Sequence, residues 1–155
     1  MKAVILNLIF IMFSSMALCC FAPKAEQVST PEKLVKRVNK IYLAEVVENS
    51  SKSFQFKVIE TLKGKKKSNF RIDGVLAESN SETDFDKHSK EDFWGKSGGR
   101  MQVEPNCQIT PSFSIGKKYL VFMDKPYHLK SFELITSVDS DEWLKKVKEI
   151  LKSIK

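Results

Sequence analysis

Tyr119-Leu120-Val121-Phe122 is the stretch that most constrains this chain. It is an unbroken apolar run opened by Gly116-Lys117-Lys118 and closed by Asp124-Lys125-Pro126-Tyr127-His128. Successive side chains of a strand point to opposite faces, so a run without polar alternation has no face for water and belongs inside a sheet covered on both sides. The chain must therefore supply neighbouring strands and two covering layers. Ile41-Tyr42-Leu43-Ala44-Glu45-Val46-Val47 is a second such run, apolar on both faces except at Glu45. Phe54, Phe56 and Val58 alternate with Gln55, Lys57 and Ile59, the pattern of a strand with one buried face. Phe70 with Ile72, and Phe132 with Leu134 and Thr136, mark two shorter strands.

The covers are expected at the two ends. Ser29-Thr30-Pro31-Glu32 offers a capping hydroxyl and a proline for a first helical turn, followed by Leu34, Val35, Val38 and Ile41 on one face. Near the C-terminus, Asp139-Ser140-Asp141-Glu142 supplies a cap and acids for the positive end of a helix dipole. Trp143, Leu144, Val147, Ile150, Leu151 and Ile154 then share a face, with lysines opposite. A basic amphipathic helix can lie on a membrane, but a five-stranded sheet needs a cover, and packing on it is the expected use. The fold class that follows is mainly β, five antiparallel strands flanked by an N-terminal and a C-terminal helix. At 155 residues there is room for one domain.

Residues 1–19 read as a secretory signal: Lys2, an apolar run from Ala3 to Phe13, then the small residues Ser14, Ser15 and Ala17. The run is short of the roughly 20 residues a membrane span needs, and no membrane span is expected elsewhere. Cleavage before Cys20 leaves a single domain over residues 20–155. A cut after Ala22 would set Pro23 beside the scissile bond, and a lipid anchor would need a small residue where Leu18 or Cys19 stands, so neither is favoured. The expected location is exported, periplasmic or secreted. Lys2 is the only charge before Cys20, so the exported chain keeps 25 basic and 19 acidic residues, a balance of +6. That cut also leaves two cysteines, Cys20 and Cys107, an even number in an oxidising compartment. The alternative is that both leader cysteines are discarded and Cys107 is a free buried thiol.

Helix, five antiparallel strands and a closing helix after an N-terminal cysteine resemble the netrin-like module, whose best-known members are the tissue inhibitors of metalloproteinases. Asn39 to Val47 is similar to the family's first strand, and Phe56 to Gly64 to its second strand and turn. Cys107 to Phe122 is similar to the cysteine, glycine turn and apolar strand of bacterial relatives. The resemblance spans roughly residues 20–136 and implies a closed OB-type barrel, a Cys20–Cys107 disulfide, and a protein partner. In the inhibitors the α-amino and carbonyl groups of a free N-terminal cysteine chelate a protease zinc, a role that would fall to Cys20. The inhibitors begin Cys-x-Cys, whereas this chain has adjacent Cys19-Cys20, and no cysteine follows Cys107, so only one of the family's disulfides can be carried over.

Three further groups bear on function. Phe93, Trp94 and Arg100, interspersed with Gly95, Gly98 and Gly99, form a candidate partner surface, because aromatic and arginine side chains concentrate at binding hot spots. The competing use is a loop whose Trp94 plugs the barrel. Lys63, Lys65, Lys66 and Lys67 make a basic turn that could hold an anion on a polyanionic partner, with a solvated hairpin tip as the default. Asp84, Asp86, His88, Glu91 and Asp92 bunch together, but they lack the glycine and terminal acid of a calcium loop and the His/Cys ligands of a zinc site. No catalytic residue, metal or cofactor is assigned, nucleic acid is not an expected ligand, and the expected activity is non-enzymatic protein binding, with a metalloprotease as the alternative partner class.

Overall fold

The computed structural model describes residues 22–77 and 88–154. The leader, Cys19, Cys20 and the acidic positions Asp84 and Asp86 lie outside the described residues. In chain order the elements are α1 (Pro31–Arg37), β1 (Ile41–Ser50), β2 (Ser53–Lys63), β3 (Asn69–Asp73), β4 (Val75–Leu76), α2 (Glu91–Trp94), β5 (Ser112–Phe113), β6 (Lys118–Phe122), β7 (Phe132–Leu134) and α3 (Glu142–Ile154).

Five strands form one antiparallel sheet in the order β3-β2-β1-β6-β7, and β4 pairs with β5 in a separate two-stranded parallel sheet. The two wholly apolar runs of the sequence, β1 and β6, are adjacent and interior, with Leu43 opposite Leu120 and Ile41 opposite Phe122. The sheet is open between β3 and β7 and is not closed into a barrel.

Each face carries its own core. On one, Tyr42, Phe54, Phe56, Phe70, Tyr119 and Phe132 form an aromatic layer covered by the irregular stretch 101–113. Phe113 is its hub, fully buried, with ring centroids 4.9–5.3 Å from Phe54, Phe56, Tyr119 and Phe132. On the other face, Ile41, Leu43, Leu120 and Phe122 meet Leu34 and Val35 of α1 and Trp143, Leu144, Val147 and Ile150 of α3. The strong sequence stripe of α3 is therefore spent on the sheet.

The caps work as the sequence suggests, with one change of length. The Thr30 hydroxyl accepts from the Lys33 amide at 3.4 Å and Asp141 Oδ1 accepts from the Leu144 amide at 2.8 Å. α1 stops at Arg37, short of the Val38 and Ile41 positions expected on its apolar face, and Ile41 opens β1 as the apolar run Ile41 to Val47 predicts. Lys63 Nζ donates to the last carbonyls of α1, Val35 at 2.9 Å and Lys36 at 3.0 Å, where a cation suits the negative end of the dipole.

Phe113→Ala should cost about 3–5 kcal/mol and Leu144→Ala about 2–4 kcal/mol. Lys148→Ala, which breaks only a partly exposed 2.7 Å ion pair with Glu60, should cost less than about 1 kcal/mol. Urea unfolding checks this, and equal losses at Leu144 and Lys148 would contradict the docking of α3.

Candidate functional site

The residues singled out from the sequence separate into two regions. The first is a buried polar network behind α2. His88 Nδ1 lies 2.8 Å from Asp141 Oδ2 and its Nε2 lies 3.3 Å from Glu133 Oε2. Burial alone would lower the pKa of this imidazole; its hydrogen bonds to Asp141 and Glu133 outweigh that and hold it at about 9. The ring is therefore an imidazolium at neutral pH, with both N–H groups donated to carboxylates. Neither nitrogen keeps a lone pair for a metal or a substrate proton.

Glu133 is itself buried on β7, and its Oε1 accepts from the Arg100 amide at 2.6 Å. The Arg100 guanidinium donates to the Phe132 carbonyl at 2.9 Å and to Ser112, and stacks 5.1 Å from the Tyr119 ring centroid. Phe93 is 2% exposed and Trp94 donates its indole N–H to the His88 carbonyl at 3.1 Å. Lys130, fully buried, donates to the Gly95 and Gly98 carbonyls beneath Phe93. Its desolvation lowers the pKa to about 8, although Glu133 pulls the other way. A Cβ at Gly98 would collide with the Asp92 carbonyl, so this glycine serves a close approach within the chain.

Phe93 thus belongs to the core rather than to a surface, and the polar ends of Trp94 and Arg100 are engaged internally. Among the described residues, the carboxylates that meet His88 are Asp141 and Glu133, neither of which the sequence groups with it. Lys63 likewise leaves the basic turn to cap α1, while Lys65, Lys66 and Lys67 remain exposed.

The second region is the end of the sheet where the N-terminal segment arrives. Gln27, 1% exposed, donates its side-chain amide to the Cys107 carbonyl at 3.0 Å, accepts from the Lys24 amide at 2.9 Å, and gives its own carbonyl to the Leu129 amide at 3.1 Å. His128 continues the clamp. Its Nε2 lies 2.9 Å from the Ser29 carbonyl and its Nδ1 accepts from the Lys130 amide, an arrangement that requires the neutral ring. Burial lowers its pKa to about 4. Cys107 sits at φ 63°, a left-handed conformation unusual for a non-glycine residue.

Beside this clamp are two cavities of about 450 and 460 Å³ that share Ile109, Lys125 and Tyr127. Lys52, Arg71, Asp73 and Pro111 line the first, and Lys24, Gln27, Cys107 and Gln108 the second. Sequence reasoning misses Gln27, Lys52, Arg71 and Lys125; no pattern in the sequence marks them, since the fold gathers them from separate elements. Glu133 alone leaves a sequence signal, an acid between Phe132 and Leu134 in a strand. Compared with protein-family models, curated proteins and solved structures, the chain matches none.

His88→Gln tests the buried cation. A histidine whose pKa rises on folding stabilises fully below its unfolded value near 6.5, and loses that contribution as pH climbs through 9. The destabilisation caused by His88→Gln should therefore shrink by roughly 2 kcal/mol between pH 6 and pH 8. Other titrating groups cancel in the comparison of the two proteins by urea unfolding. A pH-independent difference would contradict the assignment.

Proposed function

We propose that this chain is an exported, non-enzymatic netrin-like domain that binds another protein, built here on an open five-stranded sheet. The observation that carries this reading is the Gln27 clamp, which fastens the segment just after Cys20 to the cysteine loop at Cys107. A Cys20–Cys107 disulfide would complete that fastening and make one presenting edge of the N-terminus and the loop. The main sheet of five antiparallel strands, flanked in the chain by α1 and α3, supports the same relationship.

The same clamp favours a second reading, a metalloprotease inhibitor in which Cys20 offers its α-amino and carbonyl groups to a zinc ion. A polyanion-binding role for the exposed Lys65, Lys66 and Lys67 stands third.

Two measurements test these readings, the first their shared disulfide and the second the choice between binding and inhibition. The exported protein, denatured without reductant, should show no free thiol, and the disulfide should contribute about 3–5 kcal/mol; two labelled thiols would remove the Cys20–Cys107 pairing. One extra residue ahead of Cys20 displaces the amine from any zinc while barely touching the fold. The extended domain should retain the same envelope protein as the native one and bind it within about twofold. Loss of that partner on extension, together with loss of inhibition across a panel of zinc proteases, would overturn the protein-binding reading in favour of the inhibitor.

A further inference from the structure

Among the described residues, the outer edge of β3 is left unpaired in the sheet and faces a cavity. The β2–β3 ladder runs without a bulge, with Val58 donating to Ser68 and Gly74 to Lys52 at its two ends. Backbone groups alternate in direction along an antiparallel strand, so Asn69, Arg71 and Asp73 turn their amides and carbonyls away from β2. Further along the same edge, the next odd residues are taken: Val75 donates to the Pro111 carbonyl at 2.9 Å and Ala77 to that of Phe113 at 3.0 Å. The segment 109–113 thus runs parallel to the edge, pairs with its far half, and diverges from its near half.

The joint between the two halves is tight, since a Cβ on Gly74 would lie 2.5 Å from the Pro111 carbonyl. Below it, between β3 and residues 109–111, is the cavity of about 450 Å³. Its rim carries Lys52, Arg71 and Lys125 against the single carboxylate of Asp73. Lys125 Nζ rests 5.5 Å from the Tyr127 ring centroid, and Arg71 Nη2 is shared between Glu48 at 3.3 Å and Gln55 at 2.8 Å, so both cations are held in place. Lys24 extends the positive charge into the adjoining cavity.

We propose that this fork is the docking site for an extended acidic segment of a protein partner. The segment adds its backbone to Asn69, Arg71 and Asp73 and sets its carboxylates against Lys52, Arg71 and Lys125. Backbone pairing supplies attachment and alternate side chains supply selectivity, as in strand addition generally. The positive rim disfavours a second copy of this chain on the same edge, because like charges would face each other. The proposal rests on the protein-binding reading and names the partner's chemistry.

The test uses the oxidised, full exported chain immobilised against a hexapeptide library in which alternate positions are fixed as Asp or Glu, or as Lys, and the rest vary. The acidic half should be enriched. The best acidic peptide should weaken at least tenfold against a Lys52→Glu/Lys125→Glu variant shown by circular dichroism to be folded. It should weaken at least tenfold as well when its alternate amides are methylated. Hydrogen exchange should slow at the Arg71 and Asp73 amides on binding.

No acidic enrichment, or equal binding of the methylated peptide, overturns the proposal. Dextran sulfate that displaces the peptide from a site indifferent to methylation would make the fork a general anion site and overturn it equally. An envelope partner retained equally by the native domain and the double variant would leave the protein-binding reading standing and remove the fork from it.

Discussion

The His88 imidazolium, shared by Asp141 and Glu133, is the interaction on which the rest of this structure depends. A buried charge is tolerated only when its partners are fixed around it, and breaking such a pair typically costs about 3–5 kcal/mol because the survivor is stranded. Here each partner has a second task. Asp141 Oδ1 caps α3 while Oδ2 holds His88, and Glu133 Oε2 holds His88 while Oε1 anchors Arg100. One cation therefore ties together the start of the closing helix, the edge strand β7 and the irregular strap of residues 95–113. Lys130, beneath Phe93, closes the strap from the other side.

That fastening explains how an open sheet stays covered. The strap delivers Phe113 into the aromatic layer, where its ring packs against Phe56 of β2 and Tyr119 of β6. The helices dry the opposite face. With both faces filled, the free edge of β3 is left where 109–111 turns away from it, and the N-terminal clamp arrives at the same end. The rigid parts and the open part of the molecule are thus produced by the same packing.

Much of this is legible in the sequence, because it is local. Apolar runs in β1 and β6, alternation in β2 and the stripe of α3 are read from neighbouring residues, and each element forms. Closure of the sheet is not legible, since it depends on where 101–113 packs. Nor does composition distinguish a hot spot from a plug: Phe93, Trp94 and Arg100 are the residue types of both, and their partners lie on β6, β7 and α3. His88 groups by sequence with nearby acids, but the carboxylates that hold it are 45 and 53 residues away. Lys63 belongs by sequence to a lysine cluster and by structure to the end of α1. Long-range polar pairing of this kind leaves no periodicity to read.

The charge state of His88 tests the central claim most directly. Proton–carbon correlation spectra of the histidine rings, followed from pH 5 to pH 10, should show two rings behaving oppositely. His88 should stay protonated through neutrality and titrate near 9, while His128 stays neutral down to about 4. A His88 ring that titrates at or below 6.5 would contradict the account, because the cation that joins strap, strand and helix would then be missing at neutral pH.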